Sequence, residues 1–174
     1  DPDQDGFPSL YEYHQSRDPQ SSNSVPVADV YVSQSGDDGW PGTSNQPKKT
    51  IQAGLQACTA NYDIVQVAGS ATKYSGALNR NLFTNIVKKA LVKSSGGPAT
   101  CVIDCQSSGN GAWMMVAGQA LSGLTISNGY HGVCLWAGAA LIDCRVVNHN
   151  AWAGFPEYSA DGAGVAAGGS GSFV

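Results

Sequence analysis

Charge is scarce in this sequence. Only 13% of its 174 residues are Asp, Glu, Lys or Arg, and the formal net charge is -4. A general nucleic-acid binder carries a basic surface, so that class is excluded. Long apolar runs are missing too. None approaches the ~18 residues of a membrane span, although 42% of residues are hydrophobic, enough for a packed core and too many for wholesale disorder. No Cys-x-x-Cys pair occurs, which removes zinc ribbons and thioredoxin-type redox sites. The cysteines are Cys58, Cys101, Cys105, Cys134 and Cys144, an odd number that cannot pair completely within one chain. Four of the five lie in apolar strand-like runs, and their expected role is that of small buried apolar side chains. No signal-peptide pattern is present. Asp1 already stands inside a motif, and Val174 follows Gly168-Gly169-Ser170-Gly171-Ser172, so the chain reads as a piece of something longer.

What is abundant is glycine, 22 residues, about twice average usage. With no collagen period, this points to many tight turns between short strands. The opening twelve residues, Asp1-Pro-Asp-Gln-Asp-Gly-Phe-Pro-Ser-Leu-Tyr-Glu12, fit the calcium-loop pattern D-x-D-x-D-G-x5-E. Calcium is a hard cation that takes six to eight oxygens. Asp1, Asp3 and Asp5 offer carboxylates at alternate positions and Gly6 permits the sharp turn. The Phe7 carbonyl is the backbone ligand, Ser9 ligates weakly or through water, and Glu12 closes the shell with two oxygens. A short helix over Leu10–His14 is expected to follow.

Residues 20–28 form a polar linker between this appendage, residues 1–19, and a different kind of chain from residue 29 onward. Asp29-Val30-Tyr31-Val32-Ser33 reads as a strand. A turn-rich loop runs from Gly36 to Pro47. Lys48 to Ala60 reads as an amphipathic helix, with Ile51, Leu55 and Cys58 at i, i+4 and i+7, and Ile64-Val65-Gln66-Val67 is the next strand.

From about residue 86 short strands recur roughly every ten residues, with similar ones every twenty or so. Ile103, Leu124 and Cys144 are spaced by 21 and 20 and are expected to stack. Alternation puts Cys101, Ile103 and Cys105 inside, then Ser122, Leu124 and Ile126, then Ile142, Cys144 and Val146, with Thr125 and Arg145 outside. A second set interleaves: Leu91-Val92, Met114-Met115-Val116, Val133-Cys134-Leu135 and Gly164-Val165. Asn128 and Asn148 fall at matched bends, where asparagines can ladder from coil to coil. The expected architecture is all-β, a parallel β-helix with an N-terminal capping strand and amphipathic helix (cap 29–67, coils to 174, more coils beyond). A β-sandwich, suggested by the Asn128-Gly129 turn pair, fits the twenty-residue recurrence less well.

Two stretches carry family resemblances. Residues 1–19, ending in Arg17-Asp18-Pro19, resemble the calcium-binding repeats related to thrombospondin type 3 and dockerin loops. Tyr31-Val32-Ser33, Pro41-Gly42-Thr43, Pro47 and Thr50-Ile51-Gln52 look like the N-terminal cap of right-handed parallel β-helix proteins, the pectate-lyase-like superfamily. Asn79-Arg80-Asn81-Leu82, Gly97-Pro98, Val102–Gln106 and Leu121–Gly129 resemble bacterial secreted or cell-surface repeat proteins of that fold. The resemblance implies a secreted or cell-surface location. It does not imply an activity, because the same solenoid hosts lyases, hydrolases, adhesins and stalks.

Lyases of the superfamily cluster acidic residues around calcium beside an Arg or Lys base. Here Asp104, Asp143, Glu157 and Asp161 do not form a dense cluster, and Lys88, Lys89, Lys93 and Arg145 are scattered. The polygalacturonase type needs three Asp on neighbouring coils and a His-Gly step. His131-Gly132 supplies the step, but only Asp104 and Asp143 share a context. No catalytic residue is therefore assigned. Residues 149–161 interrupt the repeat, and Trp152, Phe155, Glu157, Tyr158 and Asp161 there form a candidate ligand-binding loop, with aromatic faces for sugars and carboxylates for hydroxyls. The expected protein is noncatalytic, binds calcium at its first loop and contacts polysaccharide or cell-surface glycan. The alternative is a polysaccharide lyase or glycoside hydrolase whose active residues lie on coils beyond Val174.

Overall fold

The computed structural model describes residues 2–114, 116–136, 138–149 and 165–167. Among them the backbone is mostly β, with short helices α1 (Ser9–His14) and α2 (Ile51–Ala57). The strands are β1 (Val30–Val32), β2 (Asp63–Val67), β3 (Tyr74–Ser75), β4 (Ala90–Ser94), β5 (Val102–Asp104), β6 (Ala112–Met114), β7 (Ala120–Ser122), β8 (Thr125–Ser127), β9 (Val133–Leu135), β10 (Ala140–Ile142), β11 (Arg145–Val147) and β12 (Val165–Ala167). They form three sheets, β1-β2-β4-β7-β10, β3-β5-β8-β11 and β6-β9-β12. Every strand pair among the described residues is parallel, which removes the antiparallel sandwich.

From β2 onward the chain visits the three sheets in turn, with Leu82, bridged to Ala112, standing in the third position of its circuit. Parallel register then places like side chains side by side. Val30, Val65, Val92, Leu121 and Leu141 make the inner column of the first sheet. Tyr74, Ile103, Ile126 and Val146 make that of the second. Leu82, Ala112, Val133 and Val165 make that of the third. All belong to, or pack against, one apolar core.

The expected inward positions need three corrections. Ile103 stacks on Ile126, not on Leu124. Leu124 instead neighbours Cys101 and Cys144, because Thr125 N–H donates to the Cys101 carbonyl and Arg145 N–H to the Leu124 carbonyl. The corner between β5 and β6 holds two more residues than the corner between β8 and β9, since Val102 pairs with Thr125 and Ala112 with Val133, and a shift by an even number keeps the same face inward. Ser122 and Ile142 face outward, because the chain bends between the first and second sheets at Gly123 (φ 67°) and Asp143 (φ 45°). A left-handed residue there resets the alternation, so Leu121 and Leu124 are both buried while Ser122 bonds outward to Gly6. Finally, Leu91-Val92 belongs to the first sheet, whereas Met114, Leu135 and Val165 belong to the third, so the interleaved set is two sets.

The bend residues Asn128 and Asn148 share φ 58°. The Asn128 amide donates to the Asp104 carboxylate at 3.0 Å. A side-chain ladder runs elsewhere: Asn110 N–H donates to the Asn81 side-chain oxygen at 2.8 Å, and His131 N–H donates to that of Asn110 at 3.0 Å. His131 is thus a buried turn residue continuing an asparagine row.

The exposed end of the first sheet is covered twice. The 42–48 segment bonds the free edge of β1 through Tyr31 N–H to the Gly42 carbonyl and Lys48 N–H to the Tyr31 carbonyl. Helix α2 buries Ile51 and Leu55 against the core. Thr50 caps it by accepting from Ala53 N–H, and the buried Asn79 side chain accepts Ile51 N–H at 2.9 Å. Gly54 is required because a Cβ there would lie 2.6 Å from Val32 and 2.9 Å from Val65.

A second, smaller core lies on the outer side of the first sheet. Ile64, Leu91, Ala120 and Ala140 form an outward column, and Phe7 and Tyr11 of the N-terminal segment pack on it. The appendage is therefore laid against the sheet.

Ile126 is fully buried at the centre of its column, whereas Arg145 is exposed. Ile126→Ala is expected to lower unfolding free energy by about 2–5 kcal/mol and Arg145→Ala by less than about 0.5 kcal/mol, read from urea denaturation midpoints.

Candidate metal centre

The first loop is shaped by its own backbone. Gln4 (φ 61°) and Gly6 (φ 86°) turn left-handed. Phe7 N–H donates to the Asp5 carboxylate at 2.9 Å, which curls the chain back on itself. Pro8 then starts α1, and its carbonyl accepts Tyr11 N–H at 2.8 Å. One helical turn later Glu12 points back at the loop. The result is that one carboxylate oxygen from each of Asp3, Asp5 and Glu12 lies within 4.8 Å of the others.

These oxygens lack partners. One oxygen of Asp3, one of Asp5 and both of Glu12 are buried without a hydrogen bond, and Glu12 is 0% exposed. Burial, and then the charges of Asp5 and Asp3, push the Glu12 carboxyl up to about 7. An ionised carboxylate buried without a hydrogen bond is costly. Two arrangements relieve it: a proton on Glu12, or a cation among the three groups. With only oxygen donors, the set suits a hard divalent cation and not zinc, which favours nitrogen and sulfur.

Of the six residues expected to hold metal, the structure brings together Asp3, Asp5 and Glu12. Phe7 lies on the same loop with its ring in the outer core, and Ser9 is the first residue of α1. Asp1 lies outside the described residues, as do Trp152, Phe155, Glu157, Tyr158 and Asp161.

The remaining acidic candidates are separate. Asp104 pairs with Lys73 at 3.2 Å and accepts from Asn128 and from Gln106 N–H, which hold its carboxyl below the usual range, the Asn128 bond first. Asp143 lies two residues before Arg145 and Asp104 two after Val102, while Arg145 and Val102 align through Thr125. The two aspartates are thus offset along the strand direction as well as by two rungs, and do not face a common substrate.

Sequence reasoning missed a cleft of about 710 Å³ between the first loop and the outer face of the first sheet. Asp5, Phe7, Gln66, Lys93, Ser122 and Asp143 are among its walls. Gln66, Lys93, Ser122 and Ile142 stand in register across β2, β4, β7 and β10. Burial lowers the Lys93 ammonium below its ordinary value. The five thiols are free, and burial raises each, with Cys58 and Cys101 pushed up to about 12. They are poor nucleophiles.

Comparison with protein-family models, with curated proteins and with solved structures finds no match. No helix among the described residues is long and apolar enough to cross a membrane.

The Glu12 carboxyl titrates higher folded than unfolded. In metal-free protein its contribution to stability therefore falls as pH rises from the unfolded value through about 7. Glu12→Gln is expected to raise the melting temperature of metal-free protein at pH 8 and to leave it nearly unchanged at pH 4, as followed by circular dichroism in chelator.

Proposed function

We infer that this is a noncatalytic protein, secreted or at the cell surface, built as a right-handed parallel β-helix of the pectate-lyase-like kind. Its N-terminal loop holds Ca2+, and its solenoid contacts polysaccharide or cell-surface glycan. The observation that carries the calcium reading is the fully buried Glu12, both oxygens unpartnered, beside Asp3 and Asp5. Calcium accepts six to eight oxygens in flexible geometry, including bidentate carboxylates. Magnesium demands a near-ideal octahedron and keeps several waters, which suits the fully buried Glu12 poorly. Asp1, the Phe7 carbonyl and Ser9 would complete the shell. The β-helix reading is supported by parallel strands that return to the same three sheets in turn, as at Thr125 and Arg145. The noncatalytic reading is supported by the separation of Asp104 from Asp143. The glycan reading rests on the chemistry of the 149–161 segment.

Calorimetric titration of chelator-treated protein with CaCl2 is expected to give one site with a dissociation constant on the order of 10⁻⁴ M, the range of extracellular calcium modules. Asp3→Asn with Asp5→Asn should weaken it at least tenfold. No heat at millimolar calcium removes the calcium reading. Incubation with acidic polysaccharides plus calcium should yield neither ultraviolet-absorbing unsaturated ends nor new reducing ends; either product overturns the noncatalytic reading.

A further inference from the structure

The residues that would ligate calcium alternate along the chain with residues that hold the N-terminal segment on the sheet. Asp5 contributes a carboxylate oxygen to the acidic cluster, and its backbone carbonyl accepts from the Lys93 ammonium at 3.1 Å. The Gly6 carbonyl accepts from the Ser122 hydroxyl at 2.7 Å. The Phe7 ring lies under Lys93, 4.5 Å from its nitrogen, and packs on Leu91 and its neighbours. Tyr11, next to Glu12, is buried and donates its hydroxyl to the Gly118 carbonyl at 2.5 Å, a contact spanning 107 positions. Gly6 couples the two functions in one residue. Its φ of 86° makes the loop turn, and a Cβ there would collide with the Lys93 nitrogen and come within 3.2 Å of the Ser122 hydroxyl.

We propose that metal binding at Asp3, Asp5 and Glu12 and the seating of residues 5–14 on the outer face of the first sheet are one coupled event, so that calcium acts as a latch. The proposal rests on the calcium reading above. Seating fixes the Asp5–Phe7 backbone and the Tyr11–Glu12 turn in the geometry that converges the three carboxylates. Without a cation or a proton the three clustered carboxylates repel one another and the buried Glu12 oxygens have no partner, which loosens the same segment. Release uncovers the outward column of Ile64, Leu91 and Ala120 and removes one wall of the 710 Å³ cleft. The cleft is therefore fully formed only in the calcium-loaded protein. By linkage, the factor by which calcium strengthens the seat equals the factor by which the seat strengthens calcium binding.

The test joins calorimetry to hydrogen exchange on the whole chain. Calcium added to chelator-treated wild type is expected to slow exchange in peptides covering residues 5–14 at least tenfold. Lys93→Met with Ser122→Ala, neither touching the metal, should raise the calcium dissociation constant about tenfold. Tyr11→Phe, a milder change, should raise it severalfold, and Lys49→Met, remote from the seat, should not. An unchanged constant in both seat variants, or equal exchange with calcium and with chelator, overturns the coupling while leaving the calcium site standing. Absence of heat in wild type overturns both.

Discussion

Parallel register is the constraint on which the rest depends. A parallel strand cannot return to its neighbour through a tight hairpin and needs a long crossover. From β2 onward the crossover is made of the other two sheets, while helix α2 lies on the connection from β1 to β2. Each circuit must bring its strand back in register, or its backbone groups and its inward side chain lose their partners together. The corners absorb the differences. Ala120 pairs with Ala140 and Thr125 with Arg145, but Leu91 pairs with Ala120 and Val102 with Thr125 across longer returns. Left-handed residues at Gly123, Asn128, Asp143 and Asn148 mark where the chain turns from one sheet to the next.

The first sheet carries an apolar column on each face, and this links the fold to the acidic cluster. Its inner column carries Val65, Val92 and Leu121, and its outer column Ile64, Leu91 and Ala120. An outer apolar column needs cover. Phe7 and Tyr11 supply it, in a segment where Asp3, Asp5 and Glu12, on either side of them, carry the carboxylates. The acidic loop is positioned by strands roughly 90 to 115 residues further along the chain, so the geometry of the centre is a property of the whole stack.

Much of this was legible in the amino-acid sequence, and the failures are physical. Ile51, Leu55 and Cys58 are buried as their helical spacing requires. Period two placed Cys101, Ile103 and Ile126 inside correctly. Register was off by two at Ile103 because spacing alone cannot say which corner holds the extra residues. Ser122 and Ile142 were misplaced because period two holds only within a strand, and a left-handed corner residue intervenes. Asp3, Asp5 and Glu12 were readable because a twelve-residue loop is a local pattern. Their seat on Lys93, Ser122 and Gly118 was not, since no local spacing encodes it. One signal was available: Ile64-Val65 and Ala90-Leu91-Val92 are unbroken apolar runs, which mark a sheet covered on both sides.

The scarcity of charge gives the acidic cluster its meaning. In a charge-rich protein a buried glutamate would recruit a lysine or arginine. Here the Lys93 ammonium is engaged elsewhere: it donates to the Asp5 backbone carbonyl and covers the Phe7 ring. Lys73 is paired with Asp104 on the second sheet. Among the described residues no group hydrogen-bonds the Glu12 oxygens, and a proton or an ion from solution would neutralise them. The burial that raises the Glu12 carboxyl to about 7 leaves it substantially ionised in mildly alkaline water. A divalent ion would satisfy all three carboxylates at once, and in the coupling proposed above the same ion would tie the segment to the sheet it covers.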